Sequence, residues 1–357
     1  MNKVKKNDLI FEILRTFSAI IISFIIAFII ILFTSKEPFS TIKIFITAPF
    51  ASSYALGKIL TEAVPLLFTG TAVCIMIKAG QFNMIGEGLF YIGGLIGAVI
   101  VINISLPPII LPLCALLLSF CLGGIVGYVP AKMKATLSIN EFVSSLMFNF
   151  IIYWLGLYLL GNVFIDPNYS DIATHQIPAA GKLFFLSYDN QVSSSVLIGL
   201  LFSLLAWVFL YKTKWGYYIR MTGNNERFAH YSGIKTKRTI VYAQVIGAAI
   251  CCLGGAAYVL GNMYRFNWKQ LPNYGFDGFI IAIIAHNNPL LIPIAALFMG
   301  YLRSGAAEMA RLTDVTNEVV FIIQAIMIIL IAARAFLYQL KQKRIRAMVE
   351  MEIKPYD

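Results

Sequence analysis

The chain has 357 residues, of which 59% are hydrophobic and only 13% are charged, and its formal net charge is +11. This is far more apolar surface than a soluble core needs, so the composition excludes a soluble domain and predicts an integral membrane protein. The positive-inside rule explains the net charge more simply than nucleic acid does. We therefore expect contact with membrane lipid and no nucleic acid partner.

Apolar runs of the length that a helix needs to cross the hydrocarbon, about 20 residues, recur along the chain. Strands alternating at period two are not evident, so the pattern predicts an all-α, polytopic bundle of eight to ten membrane-spanning helices. In chain order, the ten candidate spans cover residues 17–33, 62–77, 83–104, 106–129, 142–160, 194–211, 239–261, 279–285, 290–304 and 319–336. Pro65 interrupts the second of them.

The eighth run, residues 279–285, is too short to cross the membrane straight. It is either a half-helix or part of a helix that begins earlier, near Asn273. Asp277 precedes this run, and we expect it to cap the N-terminus of the helix. An arrangement with eight crossings and re-entrant pieces fits the composition nearly as well as one with ten.

Most of the 28 Lys and Arg residues fall in segments on one side of the predicted spans, and the positive-inside rule assigns that side to the cytoplasm. The predicted organisation is a cytoplasmic amino terminus (1–16), a transmembrane domain (17–336) and a basic cytoplasmic tail (337–357). Within the domain, residues 161–193 form the main outside loop and residues 212–238 a cytoplasmic loop. We therefore expect a multi-pass protein of the cytoplasmic membrane with both termini inside.

The cytoplasmic loop is predicted to contain a short capped helix. Asn225 can serve as the N-cap, and Glu226 falls in the first turn, where the helix dipole favours an anion. Gly233 can end the helix. Such a loop is suited to binding by a separate cytoplasmic protein. A basic loop whose only role is to fix the topology is the alternative.

Two groups of polar residues within the spans are candidates for a translocation pathway. Asn83 and Glu87 are four residues apart and share a helical face, while Glu141, Ser145 and Asn149 give the fifth span one polar face. Such side chains are costly against lipid, so they should face the bundle interior or a hydrated cavity. The alternatives are helix capping or an interfacial position for Glu87 and an interhelical hydrogen-bond network for the fifth span.

Residue types that often carry chemistry form no catalytic or metal-binding pattern in this sequence. The five cysteines fall within apolar runs, the three histidines are scattered, and no P-loop motif for nucleotide binding occurs. We therefore predict a non-catalytic chain without a cofactor, whose driving energy comes from a partner or an ion gradient.

Three stretches together resemble the permease family of ATP-binding-cassette importers that serves branched-chain amino acids, simple sugars and nucleosides. The family motif Phe-Asn-Ile-Gly-x-Glu-Gly resembles residues 82–88, with Ile85 in place of the first Gly. The motif Gly-(Phe/Tyr)-Asp-Gly followed by Asn-Asn-Pro is similar to residues 275–278 and 287–289, although Ala285 and His286 stand where Gly is common. The likeness runs from about Leu56 to Ala333.

The third stretch lies in the cytoplasmic loop. The family has an Arg, then Gly-x-Asn-Pro, then Ala and a closing Gly-Ile, and Glu226 replaces the Pro here. The matching residues are Arg220, Gly223, Asn225, Ala229, Gly233 and Ile234. Residues 138–149 also resemble the nucleoside branch of the family.

The resemblance implies the permease fold of ABC importers and a subunit that does no chemistry itself. It implies separate ATPase subunits that bind ATP and engage the cytoplasmic loop, a second permease subunit that is not identical, and an extracytoplasmic solute-binding lipoprotein. The expected small-molecule substrate is a nucleoside, with a simple sugar as the alternative within the family. An ion-driven secondary transporter and a membrane scaffold are the alternatives from other classes.

Overall fold

A computed structural model describes residues 35–187 and 190–315, together with positions 28, 29, 31, 32, 322 and 325. Apart from those six positions, the predicted first and last spans, the amino terminus and the basic tail lie outside the described residues. The chain divides into two compact units, Ser53–Tyr301 and the flanking segments Met1–Ser52 with Leu302–Asp357.

The unit built from the flanking segments contains helix α1 (Pro38–Thr47), which leads into a 3-10 turn at Ala48–Phe50. Pro38 opens α1, at a position where its missing N–H is not needed. The carboxylate of Asp314 accepts hydrogen bonds from the Ser35 hydroxyl and the Lys36 N–H, each at 2.7 Å. These bonds join the two segments of the unit.

The unit Ser53–Tyr301 is a helical bundle, whose last helix continues beyond Tyr301. Its helices are α2 (Ser53–Lys78), α3 (Gly86–Asn103), α4 (Ile110–Leu137), α5 (Glu141–Tyr158), α6 (Ser195–Lys212), α7 (Lys214–Asn224), α8 (Glu226–Tyr231), α9 (Thr236–Asn262), α10 (Tyr274–Ile284) and α11 (Ile292–Leu312). Its only described strands, Phe185–Ser187 (β1) and Val192–Ser193 (β2), form an antiparallel hairpin. The predicted all-α membrane fold is confirmed.

Seven helical stretches among the described residues are long and apolar enough to cross a membrane. They match predicted spans two to seven and nine, while the total of eight to ten crossings stays a prediction. The expectation that Pro65 interrupts the second span is wrong: α2 runs through it and begins at Ser53 rather than Glu62. Burial of α2 on its neighbours outweighs the one hydrogen bond that a proline removes.

The buried centre of the bundle is α9, which packs against α2, α3 and α4. Glycines allow this, because a Cβ at Gly93 would lie 2.0 Å from the Cys252 carbonyl oxygen, and one at Gly255 would lie 1.9 Å from the Phe90 carbonyl oxygen. The backbones of α3 and α9 therefore touch directly, as small residues permit in membrane helices. Motion of α9 must consequently be transmitted to α3.

The eighth predicted span is a half-helix. At 11 residues, α10 is only about 16 Å long, and it begins next to Asn273, as the second alternative suggested. His286 and Asn287 then adopt left-handed backbone conformations, with φ of 52° and 54°. The Asn288 side chain accepts a hydrogen bond from the Leu290 N–H at 3.2 Å, which starts the next helical turn. The Asn-Asn-Pro motif is thus a sharp turn between two helices.

Between α9 and α10 the chain is non-helical, and aromatic side chains bury it. Phe266 is fully buried, and the Trp268 ring stacks on the Phe90 ring with centroids 5.8 Å apart. The Tyr91 hydroxyl donates a hydrogen bond to the Trp268 carbonyl oxygen at 3.2 Å. Irregular backbone is tolerated in a membrane protein where protein surrounds it and supplies such partners.

The predicted outside loop, residues 161–193, is anchored to the segment that follows α9. Arg265 forms an ion pair with Asp166, and Lys269 forms one with Asp171. The hydrogen bond from Arg265 holds the pKa of Asp166 below its ordinary value. Two segments predicted on the same side of the membrane are therefore held together, while the side that faces outward stays a prediction.

Candidate functional site

The helix predicted in the cytoplasmic loop is present as α8, and its caps are confirmed. The Asn225 side chain accepts a hydrogen bond from the Phe228 N–H at 3.0 Å. At the other end, the Ile234 N–H donates to the Ala229 carbonyl and the Gly233 N–H donates to the His230 carbonyl, both at 3.0 Å. Gly233 has a φ of +83°, so this stop is a Schellman motif that requires glycine.

Nearly all of α8 is open to a partner. Ala229 is fully buried, and the other five residues of the helix are exposed. Phe228 and Tyr231 expose 56% and 88% of their surface. Exposed aromatic side chains on a short polar helix are typical of a protein-binding surface.

A second helix, α7, precedes α8 and was missed in the sequence. Its N-cap is Thr213, whose hydroxyl accepts a hydrogen bond from the Gly216 N–H at 3.1 Å. Two glycines in 11 residues weaken the helical signal. The buried Ile219 and Thr222, three residues apart, carry the faint periodicity that could have revealed the helix. We call α7 and α8 together the elbow.

The elbow is firmly attached to the spans. The Arg220 Nε donates a hydrogen bond to the Leu210 carbonyl of α6 at 3.0 Å, and its guanidinium lies 4.9 Å from the centre of the Tyr211 ring. A Cβ at Gly223 would lie 2.1 Å from the carbonyl oxygen of Lys78, the last residue of α2. Of the predicted loop residues, Arg220 and Gly223 thus bind the elbow to two spans, and Asn225, Glu226, Ala229, Gly233 and Ile234 belong to α8 and its caps.

Among the predicted pathway residues, Asn83 lies in the turn that leads into α3. We call residues 83–88, which comprise this turn and the first three residues of α3, the polar turn. Its side-chain N–H donates to the Gln244 side chain of α9 at 2.7 Å, and its oxygen accepts from the Ile85 N–H at 2.9 Å. Gln244 also donates to Gln81 at 3.2 Å. Sequence analysis missed both glutamines, because Gln244 is a single polar residue in a long apolar helix and Gln81 lies between two helices, so neither gives a periodic signal.

Side chains on the polar face of α5 form hydrogen bonds with the same turn. The Ser145 hydroxyl accepts a hydrogen bond from the Met84 N–H at 2.8 Å. The Asn149 side chain accepts from the Gly88 N–H at 2.9 Å and donates to the Met84 carbonyl at 2.7 Å. Both side chains are buried. Their contacts match the interhelical hydrogen-bond network that was one of the two alternatives, and a role in the pathway stays a prediction.

Glu87 is fully buried and meets the N-terminus of α10. Its carboxylate accepts hydrogen bonds from the backbone N–H groups of Asn273 at 2.5 Å, Gly275 at 2.6 Å and Phe276 at 3.3 Å. The negative charge therefore lies where the helix dipole favours it. A Cβ at Gly275 would lie 2.3 Å from the Glu87 nitrogen, which explains the glycine at this position.

The expectation that Asp277 caps α10 is wrong. The N-cap position is Asn273, and Asp277 lies inside the first turn. Glu87, from a distant part of the chain, supplies the carboxylate that a local cap would have supplied.

The last pathway candidate, Glu141, is the first residue of α5. It pairs with Lys134 across the α4–α5 connection, with 2.6 Å between Nζ and Oε2. The structure therefore brings Asn83, Glu87, Ser145 and Asn149 together around the polar turn, and Glu141 lies beside this group, where it accepts a backbone hydrogen bond from Phe82, the residue before the turn.

Comparison with known proteins adds independent findings. The family model described as "Branched-chain amino acid transport system / permease component" matches residues 55–332. A glucose ABC transporter permease of Haloferax volcanii is 30% identical over 84% of this chain and 82% of its own length. A guanosine ABC transporter permease of Bacillus subtilis is 27% identical over 80% and 82%, and a nucleoside ABC transporter permease of Lactococcus lactis is 25% identical over 90% and 91%. No solved structure matches the chain.

Proposed function

Because this chain belongs to the family of permease components of branched-chain amino acid transport systems, we propose that it is the membrane-spanning subunit of an ATP-driven nucleoside importer. Separate ATPase subunits bind and hydrolyse ATP and engage the elbow from the cytoplasm. A second, non-identical permease completes the pathway, and an extracytoplasmic solute-binding lipoprotein delivers the solute. Both termini lie in the cytoplasm.

The geometry of the elbow supports a role in coupling ATP hydrolysis to transport. The helix α8 exposes Phe228 and Tyr231, while α7 is bonded to the ends of α6 and α2. The chain then continues from α8 through Gly233 into the buried α9. Force applied to α8 by an ATPase therefore reaches three packed helices through short connections, which is what coupling by rigid-body motion requires.

Nucleoside is the favoured substrate because two of the similar permeases are named for guanosine and nucleoside transport and cover 80% and 90% of this chain. A sugar is the second candidate, since the similar permease named for glucose transport has 30% identity over 84% of the chain. The resemblance of residues 138–149 to the nucleoside branch adds support for the nucleoside.

Uptake into proteoliposomes tests this proposal. The permease is reconstituted with its ATPase, partner permease and binding protein, and uptake of labelled guanosine, adenosine, glucose and ribose is measured with ATP or a non-hydrolysable analogue. We expect ATP-dependent uptake of the nucleosides. Uptake of a sugar alone would contradict the substrate. Uptake that continues without ATP and follows an ion gradient would contradict the importer.

Docking at the elbow is tested separately. The double variant Phe228→Ala with Tyr231→Ala should weaken ATPase binding to the purified permease, because it removes exposed contact area without disturbing buried atoms. Tyr158→Ala is the matched control, since Tyr158 is also 60% exposed but lies on α5. Equal ATPase affinity in the double variant and the control would contradict docking at α8.

A further inference from the structure

At the side of the bundle that carries the predicted outside loop, the structure has a partly enclosed cavity of about 230 Å³, which we call the outer cavity. One wall is the start of α2, where Tyr54, Lys58 and Thr61 share a helical face. Another wall comes from the β1–β2 hairpin region, with Gln191, and a third from the end of α9, with Asn262.

Close backbone contacts hold these walls in place. A Cβ at Gly57 would lie 2.0 Å from the Asn190 carbonyl oxygen, and one at Gly261 would lie 2.4 Å from the Ser193 hydroxyl oxygen. The Ser193 hydroxyl is itself 2.5 Å from the Ser195 hydroxyl. The hairpin therefore rests directly on α2 and α9.

The chemistry of the lining suits a hydroxylated molecule with a flat ring and no positive charge. Amide and hydroxyl groups from Thr61, Gln191 and Asn262 offer both donors and acceptors. Tyr54 offers an aromatic face. Lys58 and Lys182 also line the cavity and the lining contains no carboxylate, so it disfavours a cation and offers hydrogen-bond donors to carbonyl and hydroxyl oxygens. The volume is below the range of about 300–1,000 Å³ typical of sites for drug-sized ligands, so the cavity suits a smaller solute.

Its position links the outer cavity to the elbow. Tyr54 lies at the start of α2 and Lys78, which contacts Gly223 of α7, lies at its end, about 36 Å away along the helix. The helix α9 likewise runs from just after α8 to Asn262 in the cavity wall. Two of the three helices that the elbow would move therefore form two walls of the cavity.

We propose that the outer cavity is a solute site of the permease itself, which takes a nucleoside by stacking the base on Tyr54 and binding the polar groups with Thr61, Gln191 and Asn262. This inference rests on the proposed function and adds the residues that recognise the solute. Movement of α2 and α9 by the elbow changes the shape of the site and releases the solute toward the cytoplasm.

A protection experiment tests the site directly. In the full transporter in membranes, Thr61→Cys is labelled from outside with a small membrane-impermeant thiol reagent, with and without guanosine, and wild-type protein gives the background from the native cysteines. We expect guanosine to slow labelling at least roughly threefold and glucose to have no effect. Leu56→Cys is the control, because Leu56 lies on the same helix and is 43% exposed but is outside the lining. It should be labelled at the same rate with and without guanosine.

Uptake by a second pair of variants completes the test. Tyr54→Ala should lower nucleoside uptake about tenfold, the size expected for one base–aromatic contact, and Leu56→Ala should not. If the wild type takes up nucleoside, but guanosine does not protect Thr61→Cys and Tyr54→Ala transports normally, the proposed site is overturned. The proposed function is then left intact. Sugar uptake with protection by glucose alone would overturn both the nucleoside substrate and the nucleoside site.

Discussion

Replacing Gly233 with valine isolates the conformational role of one residue in the elbow. Gly233 has a φ of +83°, and a Cβ built there meets no atom within 4 Å. A collision of the Cβ with distant parts of the fold is therefore excluded, and the effect comes from the local backbone conformation. A left-handed conformation costs an L-residue about 1–2 kcal/mol, and a β-branched side chain is especially unsuited to it.

That penalty acts on a helix with little stability of its own. The helix α8 has six residues, whereas isolated helices shorter than about 12–15 residues are marginal in water. If residue 233 leaves the left-handed region, the bonds from Gly233 to His230 and from Ile234 to Ala229 are lost. A penalty of about 1–2 kcal/mol lowers the ratio of folded to unravelled α8 by a factor of about 5–30.

The assay measures ATP hydrolysis and solute uptake in the same proteoliposomes. We expect Gly233→Val to transport less solute per ATP hydrolysed, and Gly233→Asn to retain more coupling because asparagine tolerates the left-handed region. Gly161→Val is the matched control: its Cβ also meets no atom within 4 Å, and its φ is not in the left-handed range. Wild-type coupling in Gly233→Val, or equal loss in Gly161→Val, would refute the reasoning.

Three further variants test contacts elsewhere in the bundle. Glu87→Gln should lower the thermal stability of the purified protein, since hydrogen bonds to a charged group are worth about 1.5–3 kcal/mol. An unchanged melting temperature would contradict the capping of α10 by Glu87. Gly93→Ala should prevent proper folding, because its Cβ would lie 2.0 Å from a carbonyl oxygen, whereas Gly124→Ala, whose nearest atom is 3.5 Å away, should fold normally, as judged by size-exclusion chromatography. Because Arg265 lowers the pKa of Asp166, the stabilisation by this pair is present above the ordinary pKa of about 4 and is lost as the pH falls through the lowered value. Proteolysis of the outside loop should therefore increase only in acid, and Asp166→Asn should make the loop sensitive at neutral pH.

Local rules were sufficient for the parts of the chain whose partners are near in sequence. Asn225 caps the helix that begins one residue later, and the helix ends through bonds from Gly233 to the His230 carbonyl and from Ile234 to the Ala229 carbonyl. The seven spans found among the described residues, all 18 residues or longer, follow from apolar runs, because length and composition decide whether a helix can cross the hydrocarbon. Such features need no knowledge of the rest of the fold.

Features that depend on distant parts of the chain could not be read in this way. The sequence indicated that Glu87 would be buried or would cap a helix, but its three donors lie more than 180 residues away. The same contact explains why Asp277 does not act as the cap. The helix α7 was not predicted, because its stability comes from the contacts of Arg220 and Gly223 with two other helices.

By itself, therefore, the sequence determined that this protein is a helical membrane permease with a capped helix in the loop between its sixth and seventh predicted spans. Only the tertiary structure decided which polar groups meet at the turn before α3, and that a cavity opens where α2, α9 and the hairpin converge. The physical reason is that a polar atom in an apolar interior must find a partner, while the choice of partner depends on how distant segments pack.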